Sequence, residues 1–255
     1  MFDKEFFNNY SPAKDLLKDK VILITGAGAG IGKAAALTFA QYGATVILLG
    51  RTLQKLEEVY DEIERQGLAQ PAIFPMNLES ASDHDYQAMH DSINEEFGRL
   101  DGLLHNASEL GPRTPLTNYP SEQWQKLLQV NLTAPFIMTK SLVPLLSKSQ
   151  NASIVFTGSS VGIKGRAFWG AYAVTKAGCE NMVEILADEF DGTNNIRVNS
   201  INPGGTRTRM RASAYPAENP SSVPPAEDIM KPYLFLLGDD SKDVNGTQLN
   251  AQPKN

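Results

Sequence analysis

The sequence contains a single cysteine, Cys179, among its 255 residues. One cysteine cannot form a disulfide within the chain, so nothing in the sequence points to an oxidising compartment. No apolar run approaches the roughly 18 residues that a membrane-spanning helix requires, and the amino-terminal segment lacks the apolar core of a signal peptide. We therefore expect a cytoplasmic protein that has no membrane partner.

Basic residues are outnumbered by acidic ones, with 23 lysines and arginines against 29 aspartates and glutamates and a formal net charge of −6. Nucleic-acid-binding proteins usually carry a basic surface, so we expect no nucleic-acid partner. The histidines, the cysteine and the acidic residues do not have the spacing of metal ligands, and no metal site is predicted.

What the sequence does contain is a regular alternation of short apolar runs and helical stretches. This alternation predicts βαβ units and a doubly wound α/β fold, with a mostly parallel, seven-stranded sheet and helices on both faces. We expect one domain over residues 19–255, preceded by an 18-residue amino-terminal appendage. A proline-rich stretch at about 205–228 is the candidate substrate-covering segment. The predicted strands are 21–24, 45–49, 72–74, 100–104, 153–157, 196–201 and 246–249, and the predicted helices are 31–42, 52–66, 82–97, 121–146, 167–190 and 226–237.

A glycine-rich turn, TGAGAGIG, follows the first predicted strand and leads directly into a helix. Free backbone amides and the helix dipole at that point favour an anion such as the pyrophosphate of a dinucleotide. A side chain at the glycine positions would obstruct the tight turn or the approach of the ligand. The strand–turn–helix context predicts a dinucleotide site, and the alternative is a flexible turn before an ordinary helix.

The end of the second predicted strand indicates which dinucleotide is bound. A site that prefers NAD usually has an acidic residue there for the ribose 2′-hydroxyl, whereas this sequence has Gly50 and Arg51. The Arg51 guanidinium is suited to a 2′-phosphate, so we predict that NADP(H) is preferred over NAD(H). The alternative is that Arg51 only caps the following helix.

Tyr172 and Lys176 are four residues apart in a predicted helix, so both side chains lie on one face. An ammonium near a phenol favours the phenolate, which suits Tyr172 to acid–base catalysis. Ser159 ends the fifth predicted strand, and the carboxyl ends of parallel strands face the ligand crevice. Its hydroxyl is therefore a candidate to polarise a substrate oxygen. Asn131, in the preceding long helix, is a candidate to anchor a water between Lys176 and solvent.

Together these motifs resemble the short-chain dehydrogenase/reductase family over residues 20–246. The glycine turn matches the family's cofactor motif, the sequence HNAS after the fourth strand partly matches its NNAG motif, and the segment NPGGTRT matches its nicotinamide loop. In detail the motifs are most like those of the YciK-type oxidoreductases within the family. The positions that match the catalytic tetrad are Asn131, Ser159, Tyr172 and Lys176.

The resemblance implies a Rossmann-type fold and the set of cofactor-binding residues. Ser108 and His105 depart from the NNAG pattern, and Asn77 stands where an aspartate is usual. These departures bear on cofactor affinity, but none removes a catalytic residue. The implied cofactor-binding residues are Thr25, Gly26, Gly28, Gly30, Ile31, Gly32, Arg51, Asn77, Leu78, Asn106, Ala107, Tyr172, Lys176, Pro203, Gly204, Thr206 and Thr208.

The predicted activity is hydride transfer between NADP(H) and a carbonyl or secondary alcohol, with Tyr172 as the general acid and base. The alternative is a dinucleotide-binding sensor or scaffold protein with little catalysis, which the altered HNAS motif and Asn77 would suit. The resemblance also implies a homodimer or homotetramer, because the family often pairs the helices that correspond to 121–146 and 167–190.

Three other features have two interpretations each. The run formed by Arg207, Arg209 and Arg211 either attracts an anionic substrate or is a solvated loop face. Cys179 is either a reactive thiol or a small buried residue, and we favour the second interpretation. His105 either transfers protons near the cofactor or packs in the core, and packing is again favoured.

Overall fold

The computed structural model describes Phe2 and residues 4–252. Met1, Asp3 and residues 253–255, at the ends of the expected appendage and domain, lie outside the described residues. The strands in the described part of the chain are β1 Val21–Thr25, β2 Thr45–Gly50, β3 Ala72–Pro75, β4 Gly102–His105, β5 Ala152–Thr157, β6 Ile196–Asn202 and β7 Gln248–Asn250.

These strands form one seven-stranded sheet in the order β3-β2-β1-β4-β5-β6-β7. Every neighbouring pair is parallel, which confirms the predicted doubly wound α/β fold. The chain runs outward from β1 through β2 to β3 and then returns to place β4 on the other side of β1. This reversal opens a crevice at the carboxyl ends of β1 and β4, which is where ligands bind in such sheets.

Helices cover both faces of the sheet. One buried cluster joins the sheet to α2, α3 and α10, and a second joins it to α4, α6 and α8. Ile22 and Ile24 of β1 belong to the first cluster and Leu23 to the second, as the alternation of side chains along a strand requires. The helices are α1 Lys4–Asn9, α2 Gly30–Gln41, α3 Leu53–Arg65, α4 Asp83–Phe97, α5 Ser121–Leu128, α6 Ala134–Leu146, α7 Ser160–Ile163, α8 Gly170–Phe190, α9 Arg209–Ala214 and α10 Met230–Leu237.

Local sequence explains where several of these helices begin. α4 starts after Ser82, as predicted, because the Asp85 carboxylate accepts hydrogen bonds from the Ser82 backbone and hydroxyl at 2.8 and 2.7 Å. α8 begins at Gly170 rather than at 167. Phe168 and Gly170 have φ angles of 70° and 43°, so the chain makes a left-handed turn before the helix starts.

The long helix predicted over 121–146 is interrupted, but the interruption is not at either of its prolines, Pro135 and Pro144. A π-helical turn at Gln129–Thr133 separates α5 from α6, and Asn131 lies within it. Pro135 occupies the first turn of α6, where its missing N–H costs no helical hydrogen bond, and Pro144 lies inside that helix. π-helical turns insert one extra residue into a helix and are frequent at functional sites.

The described residues of the amino-terminal segment, Phe2 and 4–18, contact the domain closely. Phe7 and Leu17 are buried in the same cluster as β1 and α2, and the Leu17 amide donates to the Tyr42 carbonyl at 2.9 Å. Aromatic residues of α1 also pack on Phe235 of α10. This segment therefore contributes to the core, and α1 was not among the predicted helices. No helix in the described chain is long and apolar enough to span a membrane.

Candidate active site

A cavity of about 810 Å³ lies at the carboxyl edge of the sheet. Thr25, Gly32 and Asn131 do not line it, although each was a predicted site residue. The predicted residues that do line it are Gly26, Gly28, Gly30, Ile31, Arg51, Asn77, Leu78, Asn106, Ala107, Ser159, Tyr172, Lys176, Pro203, Gly204, Thr206 and Thr208.

The glycine turn forms a wall of this cavity with its backbone. Gly26 and Gly30 have φ angles of 69° and 55°, which favour glycine. A Cβ at Gly32 would lie 2.1 Å from the Gly26 carbonyl oxygen, so this glycine allows α2 to pack against the turn rather than contacting a ligand. A Cβ at Gly28 would lie 2.9 Å from the Lys55 Cβ. The turn therefore presents bare backbone to the cavity.

Thr25 acts from behind this wall. Its hydroxyl accepts hydrogen bonds from the amides of Asn106 and Ala107 at 2.9 and 3.0 Å, and it donates to the Leu104 carbonyl at 3.2 Å. The Asn106 side chain in turn donates to the Thr25 carbonyl at 3.2 Å. Thr25 therefore ties the glycine turn to the loop after β4 and positions residues that line the cavity.

Tyr172, Lys176 and Ser159 all line the cavity, the first two from α8 and Ser159 from the turn after β5. Lys176 is 4% exposed, and its ammonium donates to the Thr157 carbonyl at 2.7 Å. The same ammonium lies 5.8 Å from the centre of the Tyr172 ring. Ser159 is separated from β5 by Gly158 and caps α7, its hydroxyl lying 3.5 Å from the Val161 amide. The arrangement places a buried cation next to a phenol, with a hydroxyl on the same cavity wall.

Asn131 uses its side chain to hold the loop after β4. Its amide oxygen accepts from the Glu109 backbone amide at 2.8 Å, and its amide nitrogen donates to the Glu109 carbonyl at 2.9 Å and to the Thr175 hydroxyl at 3.2 Å. The π-helical turn presents the Asn131 carbonyl to the Cys179 thiol, which donates to it at 3.1 Å. These contacts make Asn131 a positioning residue for the loop after β4, and its role as the anchor of a water between Lys176 and solvent stays a prediction.

Burial distinguishes between the two interpretations given above for Cys179 and for His105. Cys179 is 3% exposed, and burial raises the pKa of its thiol, which favours its interpretation as a packing residue. Burial, assisted by the charge of Lys176, lowers the pKa of His105 to about 3. The His105 ring packs on Phe156 and lies 2.9 Å from the Thr139 hydroxyl. It is therefore a neutral packing residue at physiological pH.

The end of the cavity next to β2 contains an ion pair that the sequence did not predict. Arg51 Nη1 lies 2.8 Å from Glu109 Oε1, and the two side chains are 53% and 32% exposed. Lys55 also lines this region. The position of Glu109 directly after the HNAS motif was the only available signal, and a single sequence does not reveal which residue its carboxylate meets.

The loop at the other end of the cavity is held by the carboxyl-terminal segment. The Gln252 side chain donates to the carbonyls of Pro203 and Gly205, both at 2.8 Å. The Ala251 amide adds a hydrogen bond to the Asn202 carbonyl at 2.9 Å. Gln252 therefore positions this loop. The sequence did not predict this role, because the partners of Gln252 lie about fifty residues away in the chain.

Two of the three arginines in the run at 207–211 form hydrogen bonds with other groups of the same chain. Arg211 donates to the Glu218 carboxylate at 2.7 and 2.6 Å. Arg207 donates to the carbonyls of Pro220 and Val223 at 2.9 and 3.2 Å. These contacts favour a structural role for both arginines, which fold the segment over the cavity. Arg209 is exposed and lines the cavity.

A dinucleotide fits the donors and the shape of this cavity. The glycine turn offers backbone amides at the start of α2, and an arginine stands at the end of β2. Ser108 Oγ is buried and has no hydrogen-bond partner among the described residues, so the cavity wall also offers a hydroxyl to a ligand. The described residues contain no cluster of three or more metal-ligating side chains.

Comparison with known proteins agrees with this geometry. The short chain dehydrogenase family model matches residues 20–219. The uncharacterized oxidoreductase YciK of Escherichia coli is 49% identical, with 96% of each chain covered. The 3-oxoacyl-[acyl-carrier-protein] reductase FabG of Thermotoga maritima is 35% identical over 90% of this chain and 95% of its own. A Shigella flexneri short chain dehydrogenase complexed with NADP has 49% identity and a TM-score of 0.92, covering 94% of this chain and all of its own.

The chain therefore belongs to the short-chain dehydrogenase family of oxidoreductases. Within that family it is similar to YciK, as its HNAS and NPGGTRT segments predict.

Proposed function

We propose that this protein is an NADP(H)-dependent oxidoreductase that interconverts a carbonyl and a secondary alcohol, with Tyr172 as the general acid and base. The observation that carries the proposal is the buried Lys176 ammonium, which lies 5.8 Å from the centre of the Tyr172 ring in a cavity that Ser159 also lines. The Thermotoga maritima relative, named as a reductase of a 3-oxoacyl group, supports carbonyl chemistry.

The proposed mechanism assigns one task to each side chain. NADPH, held by the glycine turn and Arg51, would supply the hydride for the carbonyl carbon. Tyr172 donates its phenolic proton to the substrate oxygen as negative charge develops there, and Lys176 stabilises the phenolate that remains. Ser159 donates a hydrogen bond to the same oxygen and orients the substrate. In the reverse direction the phenolate accepts the alcohol proton, and NADP⁺ would accept the hydride from the alcohol carbon.

The preference for NADP(H) over NAD(H) rests on Arg51. This guanidinium lines the cavity, and β2 itself ends without the acidic residue that usually holds a ribose 2′-hydroxyl. Pairing with a 2′-phosphate is the interaction for which a guanidinium is best suited. The NADP complex of the Shigella flexneri relative supports the same assignment.

We also propose a cytoplasmic location and a homodimer or homotetramer assembled through α6 and α8. Phe136, Val174 and Ile185 on these helices are 53%, 43% and 49% exposed, and a partner subunit packed on the two helices would bury them. Light scattering of the purified protein distinguishes these assemblies from a monomer, and a monomeric mass at micromolar concentration would contradict the proposal.

The proposed function is tested by the Tyr172→Phe substitution. A panel of ketones and aldehydes is offered with NADPH to the wild-type enzyme, and cofactor oxidation is followed by absorbance. Loss of the phenolic hydroxyl should lower turnover by about 100-fold or more, because general acid catalysis contributes that much. The NADPH dissociation constant should change little, since the hydroxyl serves the substrate rather than the dinucleotide.

The matched control is Tyr119→Phe, which removes a buried hydroxyl that has no hydrogen-bond partner within the described residues and does not line the cavity. This variant should keep wild-type turnover. Wild-type turnover by Tyr172→Phe would refute the role of Tyr172. If the wild-type protein bound NADPH but turned over no carbonyl, the dinucleotide-binding sensor or scaffold would become the better explanation.

A further inference from the structure

The Arg51–Glu109 ion pair spans the cofactor crevice. Arg51 follows β2 and Glu109 lies in the loop after β4, and these two strands flank β1, from which the glycine turn emerges. Both side chains line the cavity and meet at 2.8 Å. The carboxylate therefore reaches across the glycine turn to the guanidinium that is the candidate reader of a 2′-phosphate.

The backbone of Glu109 is held rigidly for this contact. Asn131 accepts from its amide at 2.8 Å and donates to its carbonyl at 2.9 Å, and Asn131 itself is only 2% exposed. A carboxylate on a fixed backbone loses less conformational entropy when it pairs than one on a mobile loop. The π-helical turn that contains Asn131 therefore holds Glu109 in position for its contact with Arg51.

We infer that Glu109 is a specificity-determining residue, because its carboxylate competes with the cofactor 2′-phosphate for Arg51. The inference rests on the proposed NADP(H) preference. A 2′-phosphate at Arg51 must displace the Glu109 carboxylate or share the guanidinium with it, and two anions at one site repel each other. NAD(H) carries no such phosphate and leaves the ion pair intact. Glu109 therefore weakens binding of NADP(H) selectively.

The test measures dissociation constants of NADPH and NADH by nicotinamide fluorescence at low ionic strength, where exposed charges are least screened. Glu109→Gln should lower the NADPH dissociation constant by about two- to fivefold, the range expected for an exposed ion pair. The constant for NADH should not change. In an Arg51→Ala background the effect of Glu109→Gln should be lost, because the contested guanidinium is absent.

Glu79→Gln is the matched control. Glu79 also lines the cavity, but its carboxylate pairs with Lys126 at 2.7 Å. This variant removes the same charge without freeing Arg51 and should leave both constants unchanged. An equal effect from Glu79→Gln, an unchanged NADPH constant for Glu109→Gln, or an equal shift for NADH would overturn the inference.

A failure of the proposed cofactor preference would give a different set of results. If the wild-type protein bound NADH as tightly as NADPH, and Arg51→Ala changed neither constant, the assignment of Arg51 would be refuted and the role of Glu109 with it. If Arg51→Ala weakened only NADPH while Glu109→Gln had no effect, the preference would stand and only the inference about Glu109 would fall.

Discussion

His105 is a buried residue of β4, and Lys176 is a buried residue of α8 that lines the cavity. Burial, assisted by the charge of the Lys176 ammonium, lowers the pKa of His105 to about 3, so the imidazole stays neutral. A protonated His105 would place a second cation close to that ammonium. The neutral ring is therefore consistent with a site that uses one cation for catalysis.

The buried His105 predicts a specific dependence of stability on pH. Its pKa falls from 6.5 to about 3 on folding, so the unfolded state binds the proton first as pH decreases. The free energy of unfolding should therefore fall as pH drops below 6.5, with a slope approaching about 1.4 kcal/mol per pH unit. His105→Asn removes this contribution, and urea unfolding at pH 7 and pH 5 measures it.

Between those two pH values the wild-type protein should lose about 2 kcal/mol more stability than His105→Asn. An equal loss in both proteins would show that His105 titrates alike in the folded and unfolded states. The asparagine substitution restores the residue type that the family's NNAG motif has at this position, so the variant should fold.

At the residue scale, the sequence predicts which side chains lie together when they belong to one short segment. Tyr172 and Lys176 are placed together by helical spacing alone, and the structure brings Ser159 to the same cavity. The sequence does not predict a role that depends on a distant partner. Glu109 meets Arg51 and Gln252 meets the Pro203 carbonyl only because the fold joins separate segments.

At the scale of elements, the glycine turn and α2 form one closely packed unit. Gly32 has a backbone oxygen where its Cβ would be, and such a contact cannot be relieved by moving a flexible side chain. Gly32→Ala should therefore displace the turn, weaken NADPH binding by about tenfold or more and lower the free energy of unfolding by about 1–3 kcal/mol. Fluorescence titration and urea unfolding measure the two effects.

Gly165→Ala provides the comparison, because a Cβ there would meet open space. This variant should bind NADPH and unfold as the wild-type protein does. Wild-type binding and stability in Gly32→Ala would contradict the close packing of α2 on the turn.

Element boundaries were predictable where hydrophobic periodicity or a cap marks them, as at Ser82. The π-helical turn at Gln129–Thr133 was not predictable in this way. Pro135 and Pro144 are the residues of this segment that local sequence marks as helix breakers, whereas the extra residue is accommodated in the turn that contains Asn131. Its carbonyl and side chain find partners on α8 and in the loop after β4, which local sequence does not specify.

At the scale of the whole molecule, alternating strands and helices indicated the fold class, but the chain ends were harder to interpret. The amino-terminal segment reads as a polar appendage with scattered aromatics, yet Phe7 and Leu17 join the core. Near the other end, Gln252 fixes the loop that begins at Pro203. Contacts between the ends of a chain and its interior depend on the complete fold.

We propose that the cavity binds NADP(H) in preference to NAD(H) for hydride transfer. The most direct test of this preference is a titration of the purified wild-type protein with NADPH and with NADH, followed by nicotinamide fluorescence at constant ionic strength. We predict a lower dissociation constant for NADPH, because only that cofactor offers a phosphate to Arg51. Tighter binding of NADH, or binding of neither cofactor, would contradict the proposed preference for NADP(H).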